Sequence, residues 1–295
     1  MRVDSDEVIT EDAWPDLIAL GRANSTTALA VAGMPDDQVL QWWDDDGPRT
    51  TECMSVTKFV VAMALGLAVS TDDLQAPLRT WIDEWSADAR GDITLTQVLT
   101  HLTGLVVSPP SAVYQATSVR AFTLASELVN NGRWAYNNRA FHLAGIVAER
   151  ASGRPLDELA ADGLFAPLGI DDFWWQRDPE GFPLCMAGLH LRATDLARIG
   201  RLHLTAAQHG KYQVLPADWL AAMPSQQGEV GRGCFTQYRD GTRVGFGHDG
   251  DLGQWIAVQP ALGIVAVRTR TTTDPVDTLG WPTFPGDINN MFAKH

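Results

Sequence analysis

Cysteine is nearly absent: the 295 residues include three, Cys53, Cys185 and Cys234, scattered singly along the chain. That excludes a disulfide framework or a C-x-x-C metal site, and buried thiols are expected instead. No window reaches the roughly 18 apolar residues of a membrane-spanning helix. The opening MRVDSDEVITEDAW carries no apolar stretch of signal-peptide type. A cytoplasmic protein with no membrane partner is therefore expected. Positive charge is in deficit, with a formal net charge of −14, so phosphate backbones are repelled and nucleic acid is excluded as a partner. The acidic runs DSDE at 4–7 and DDD at 44–46 read as solvated loop. There is no G-x-S-x-G, which disfavours an α/β-hydrolase, and His142, His190, His203 and His209 lack the H-x-H-x-D-H spacing of a zinc hydrolase.

What is present suits a sizeable core: 45% of residues are hydrophobic and 20% charged, enough for two lobes sharing a cleft. Residues 9–23 have the period of an amphipathic helix, and TTALAVAG and QVLQWW read as two strands joined by the turn MPDD. The stretch from Ser55 to Val69 is apolar on nearly every face, as in a helix enclosed by protein. A long middle region is mostly helical in period, punctuated at SPPS and SGRP. TRVGFGH, GQWIAVQP and GIVAVRTRT then read as antiparallel strands, with a short helix near DINNMFAKH. The order predicts an α/β fold of the α+β type, with an antiparallel sheet built from both termini, flanked by helices, and a mostly helical lobe inserted. A single domain over 1–295 is expected, with a sheet lobe of about 1–70 plus 235–295, a helical lobe of about 71–234 and a cleft between them.

Lysine is the other scarcity, and it points to the chemistry. Only Lys58, Lys211 and Lys294 are lysine among 22 basic residues. Lys58 stands inside the apolar run CMSVTKFVVAMALGLAV at 53–69, three residues after Ser55. An arginine there would stay charged at any workable pH, whereas a lysine withdrawn from water can shed its proton and serve as a base. Residues i and i+3 share a helix face, so the amine can reach the hydroxyl and activate it as a nucleophile. The helix N-terminus adds partial positive charge for a developing oxyanion. The competing reading is a Ser55 cap and a Lys58 that reaches the surface along its apolar stem.

Two further stretches supply partners. In WAYNNRAFHLAG, Tyr136 can share or relay the serine proton and the Asn138 amide can bind a substrate carbonyl and orient Lys58, unless Asn137 or Asn138 merely caps the following helix. In GFGHDGDLGQW, His248 and Gly250 stand at a strand end. Gly250 permits close backbone approach, and the Asp251 N–H can join the Ser55 N–H in polarising a carbonyl; the alternative is a plain tight turn. Trp134 and Trp255 flank these motifs and are the best candidates among 11 tryptophans for lining a cleft. His101, in LTHLTGL, is expected to be a hydrogen-bonded core or turn residue.

In this order, S-x-x-K at 55–58, Y-x-N at 136–138 and H-x-G at 248–250 resemble the penicillin-recognising serine hydrolases. Within them the match is to the class C β-lactamase-like branch, which includes D-alanyl-D-alanine carboxypeptidases, β-lactamase-like esterases and nylon-oligomer hydrolases. The similarity covers roughly residues 25 to 290, supported by LTQVLTHLTGL, GLHLRATDLARIG and GHDGDLGQ. The resemblance implies a β-lactamase/transpeptidase-like fold and an acyl-enzyme mechanism on a small ester or amide, without metal or organic cofactor. It implies Ser55 as nucleophile, Lys58 and Tyr136 as its base system, Asn138 as a contact to substrate and lysine, and His248 in the place of a lysine. A catalytically silent binding or regulatory homologue is the reading from another class.

The third motif departs from the family's Lys-Thr-Gly: here it is His248-Asp249-Gly250. A histidine replaces a fixed cation and an aspartate replaces a hydroxyl donor. Substrates bearing a carboxylate at that point, β-lactams included, are therefore expected to be disfavoured against neutral or amine-bearing esters and amides.

Overall fold

The computed structural model describes residues 13–33, 39–44, 47, 49–129, 133–271 and 281–293. Its frame is a six-stranded antiparallel sheet built from both ends of the chain. The strands are β1 (Ala28–Gly33), β2 (Val39–Trp43), β3 (Phe235–Arg239), β4 (Thr242–Gly250), β5 (Gln254–Gln259) and β6 (Ile264–Thr269). They lie in the order β2-β1-β6-β5-β4-β3, so the first and last strands of the chain pair at the centre, Ala28 opposite Thr269 and Gly33 opposite Ile264. Both hairpin-forming segments expected near the N-terminus are strands, while the MPDD turn between them lies outside the described residues.

Side-chain alternation divides the sheet into two buried faces. Leu29 and Val31 of β1 and Ile264 and Ala266 of β6 pack with Leu17, Phe284 and Ile288 of the terminal helices α1 (Trp14–Ala23) and α6 (Phe284–Phe292). Ala30, Ala32, Val265 and Val267 face the other way, into the larger core of the helical region. We call the first the distal face. The expected helix at 9–23 thus exists from Trp14 onward, residues 9–12 lying outside the described set.

At the centre of the helical region is α2 (Thr57–Leu65), every residue of which is buried. This enclosure explains its lack of an amphipathic period, since no face of it meets water. Against it pack α4 (Leu143–Ser152) and the short helix Leu156–Ala160; α3 (Asn138–Phe141) leads into α4, and α5 (Ala193–Arg201) packs on β1 and β6. A small three-stranded sheet of Thr51–Glu52, Leu189–Leu191 and Trp174–Trp175 pins the segment after residue 184 against the entrance to α2. Its ladder continues in the Cys53 N–H donating to the Leu189 carbonyl at 2.7 Å.

The helical expectation for the middle of the chain is too regular in two places. Residues 71–92 form successive 3₁₀ turns rather than α-helix, and Gln208–His209 pairs with Tyr212–Gln213 in a small hairpin turning at Gly210, whose φ is +56°. The SPPS punctuation falls partly inside a short helix, Pro110–Tyr114, because proline is well placed in a first helical turn. All three cysteines are buried free thiols.

Candidate active site

Ser55 sits in a single 3₁₀ turn, Met54–Val56, that runs directly into α2. Met54 has φ +46°, a left-handed conformation costly for a side-chain-bearing residue, and it aims the following hydroxyl out of the helix entrance. Two more non-glycine residues of this kind border the site, His101 at φ +59° and Leu252 at φ +65°.

One turn further on, Lys58 is completely buried. Its Nζ lies 3.0 Å from Ser55 Oγ and donates to the Met186 carbonyl at 2.8 Å. Burial lowers its pKa from 10.5 to about 7, against the opposing pull of the Asp251 and Asp249 carboxylates. The amine is thus a partly deprotonated group at neutral pH, and the surface-reaching lysine of the alternative reading is excluded.

The Tyr136 ring lies 4.9 Å from Lys58 Nζ and 4.5 Å, centroid to centroid, from the His101 imidazole. Its phenol is a hydrogen-bond partner of Ser55, and burial holds its pKa above the ordinary value, so it stays protonated. His101 is buried in the turn that sequence assigned to it, accepting from the Asn137 N–H at 3.2 Å. Desolvation lowers its pKa to about 3, leaving a neutral platform under the phenol.

The two asparagines are told apart by their partners. Asn137 caps α3, accepting from the Ala140 N–H at 3.0 Å and donating to the Leu105 carbonyl at 3.0 Å. Asn138 is left with a buried Oδ1 that has no partner. The expected Asn138 contact to Lys58 is not made: Asn138 Oδ1 has no partner, while the amine bonds Ser55 Oγ and the Met186 carbonyl. Nothing in the sequence near Met186 announces this contact; it depends on the small sheet that carries residues 189–191 to the entrance of α2.

His248, Asp249 and Gly250 lie in strand β4, not in a turn; the turn begins at Asp251. His248 is buried, bonds the Asp249 carbonyl through Nδ1, and leaves Nε2 without a partner. Burial takes its pKa to about 3, so a neutral ring stands at this position. Phe235, unremarked in the sequence, meets that ring edge-on at 5.1 Å. Asp249 pairs across the strands with Trp255, which packs against Phe284 on the distal face, so both side chains point away from Ser55. Trp255 therefore does not line the Ser55 side of the sheet, and Trp134 is solvent-exposed two residues before Tyr136.

Gly250 is a close approach. A Cβ there would lie 3.0 Å from each of the Cys53 carbonyl, Met54 Cβ and the Ser55 nitrogen, so only glycine lets β4 lie against the serine turn. Asp251 follows at the surface. The turn after it is tied to the sheet by Arg268, fully buried, which donates to the Gly253 carbonyl at 2.7 Å and to Thr26 Oγ1 at 2.8 Å. Among the described residues no three His, Cys, Asp or Glu side chains are grouped to hold a metal ion, and no helix is long and apolar enough to cross a membrane.

A sequence profile of the Beta-lactamase family matches residues 23–283. The chain belongs to the β-lactamase family. Among curated proteins it is similar to esterase EstB of Burkholderia gladioli, 32% identical over an alignment spanning 43% of this chain and 39% of that one. The chain thus aligns with well under half the length of that relative. Among solved structures it is similar to a penicillin binding protein from Bacillus halodurans, at TM-score 0.72 and 16% identity over 94% of this chain and 99% of that one. It is also similar to a D-amino acid amidase from Ochrobactrum anthropi SV3, at TM-score 0.69 and 16% identity over 95% of each chain. These two likenesses show the β-lactamase/transpeptidase-like fold, α/β with an antiparallel sheet flanked by helices, as the sequence led us to expect.

Proposed function

We propose that this chain is a serine hydrolase that cleaves an ester or amide through an acyl-serine intermediate, with Ser55 as nucleophile and Lys58 as its base. The carrying observation is the fully buried Lys58 amine, 3.0 Å from Ser55 Oγ with its pKa brought to about 7. In its neutral form the amine donates to the Met186 carbonyl and accepts the Ser55 proton as Oγ attacks the substrate carbonyl. The tetrahedral intermediate collapses with cleavage of the C–O or C–N bond, and the leaving group takes its proton from the ammonium by way of the Tyr136 hydroxyl. Water then adds to the acyl ester, giving up a proton to the same amine, and the acid departs with Ser55 restored. The Ser55 and Asp251 N–H groups serve the oxyanion, and the unpartnered Asn138 Oδ1 suits a substrate N–H.

A fluorophosphonate probe tests the assignment. Wild-type protein is expected to be labelled and Ser55→Ala is not; an unlabelled wild type would instead favour a silent homologue.

The activity should follow the Lys58 charge. Since the neutral amine is the active form, kcat/KM is expected to rise about tenfold per pH unit below 7 and to level off above it. A profile flat from pH 5.5 to 8 would remove Lys58 as the titrating base.

Substrate charge is the finer reading. With His248 neutral, the ring that stands in the place of a lysine supplies no fixed positive charge, while the Asp249 and Asp251 carboxylates act on both Lys58 and Tyr136. That balance favours neutral or amine-bearing substrates over β-lactams and D-alanyl-D-alanine peptides, whose carboxylate needs a cation. The expected outcome is p-nitrophenyl acetate turnover at least about 100-fold above nitrocefin turnover, a difference worth about 3 kcal/mol. Comparable rates on the two would restore the true β-lactamase reading.

A further inference from the structure

His142 is fully buried at the junction of α3 and α4, and the hydrolytic mechanism gives it no part. Its Nδ1 lies 2.9 Å from the Asn138 carbonyl and 3.2 Å from that of Arg139. Burial lowers its pKa to about 4, so the ring is neutral at pH 7. Both carbonyl oxygens can only accept, so the single ring proton sits on Nδ1. Nε2 is then a bare lone pair, buried without a donor. The Arg139 carbonyl has two further donors, the His142 N–H and Thr123 Oγ1, each at 3.3 Å. The ring's distinctive bond is therefore the shorter one, to Asn138.

We propose that His142 is a positioning residue for Asn138, fixing from behind the backbone that aims the Asn138 side chain at the substrate. The proposal rests on the hydrolase reading, in which Asn138 is a substrate contact. Helix α3 is a single turn, secured at its start by the Asn137 cap on the Ala140 N–H and at its end by the imidazole. Asn138 Oδ1 has no protein partner, so nothing at that end of the side chain holds it and its aim depends on the backbone beneath. Packing alone does not call for a histidine here. An apolar residue would fill the space beside Phe182, whose ring lies 6.4 Å away, without burying an unsatisfied nitrogen. A cationic donor would not serve either: the site lies in the field of Lys58, and a second positive charge would oppose protonation of the amine. A neutral Nδ1–H supplies the bond without that charge.

The test compares kcat/KM on the p-nitrophenyl ester of N-acetylglycine, which carries an amide in its acyl part, with kcat/KM on p-nitrophenyl acetate, which does not. His142→Leu is expected to lower the ratio of the two about tenfold, as Asn138→Ala does. His142→Asn, which keeps an N–H donor at the Nδ1 position, is expected to hold the ratio within about threefold of wild type. In the Asn138→Ala background, His142→Leu should lower the ratio no further, because its effect passes through Asn138. Equal losses on the two esters, failure of His142→Asn to restore the ratio, or a loss that adds to that of Asn138→Ala would overturn the proposal. A ratio unmoved by Asn138→Ala would overturn it too, by removing the substrate contact, while fluorophosphonate labelling of Ser55 in the same variant reports separately on the hydrolase assignment. Nitrogen-15 spectra of the wild-type imidazoles at pH 7, with His142 assigned by its loss in His142→Asn or His142→Leu, are expected to show the proton on Nδ1. A proton on Nε2 would overturn the proposal even if the leucine variant did not fold.

Discussion

Replacing Lys58 by methionine is expected to lower kcat/KM on p-nitrophenyl acetate by roughly 1,000-fold, because it removes the proton acceptor and leaves a near-isosteric apolar chain in its place. The same substitution should not weaken the fold at low pH. A fully buried amine whose pKa falls from 10.5 to about 7 costs the native state roughly 4 kcal/mol at pH 7, since the unfolded chain binds the proton that the folded one releases. Methionine escapes that cost but leaves the Met186 carbonyl without its donor, a penalty of about 1–3 kcal/mol. The sign with pH follows from the lowered pKa. The wild-type burden is full below pH 7 and is relieved as pH rises from 7 towards 10.5. Lys58→Met should therefore match or exceed wild type in thermal stability at pH 6 and fall behind it by pH 10. Retention of a tenth of wild-type activity, or a stability difference independent of pH, would contradict the buried-base account.

Gly250→Val is expected to reduce kcat at least about 100-fold and to destabilise the protein by about 1–3 kcal/mol. A Cβ at this position meets the Cys53 carbonyl and the Ser55 nitrogen at 3.0 Å, both of them backbone atoms that cannot rotate away. The strand must lift, and the Asp251 N–H moves with it relative to the Ser55 N–H. An oxyanion site depends on both donors being aimed at one point, so the loss should fall on kcat more than on KM. The measurements are steady-state kinetics with denaturant unfolding on the same preparation. Unchanged kcat would mean that the two N–H groups do not act together.

Much of the site was legible because its signals are local. Ser55 and Lys58 are one turn apart, so helical geometry alone brings them together, and the scarcity of lysine makes the pair conspicuous. The strands from TRVGFGH to GIVAVRTRT are adjacent in sequence and in space, joined by short glycine turns. The helical lobe was read less well where 3₁₀ turns and a short hairpin imitate helix composition. Asn138 was assigned a contact to Lys58 that the fold gives to Met186, because a backbone carbonyl can be supplied by any residue type and leaves no mark in the sequence. Trp255 was placed at the cleft by its nearness to the motif in sequence, but the period-2 alternation of β5 turns it to the other face.

The sequence by itself determined the chemistry on offer: a serine and a lysine one helical turn apart, a tyrosine and asparagine before a short helix, and a strand end whose third-motif lysine has become histidine. Only the tertiary structure decided their states. Enclosure of α2 on every side is what strips the lysine of water and brings its pKa to about 7, and the same enclosure keeps His248 neutral. Desolvation is a property of all the chain that surrounds a group, contributed by segments more than a hundred residues away, and no local motif can encode it.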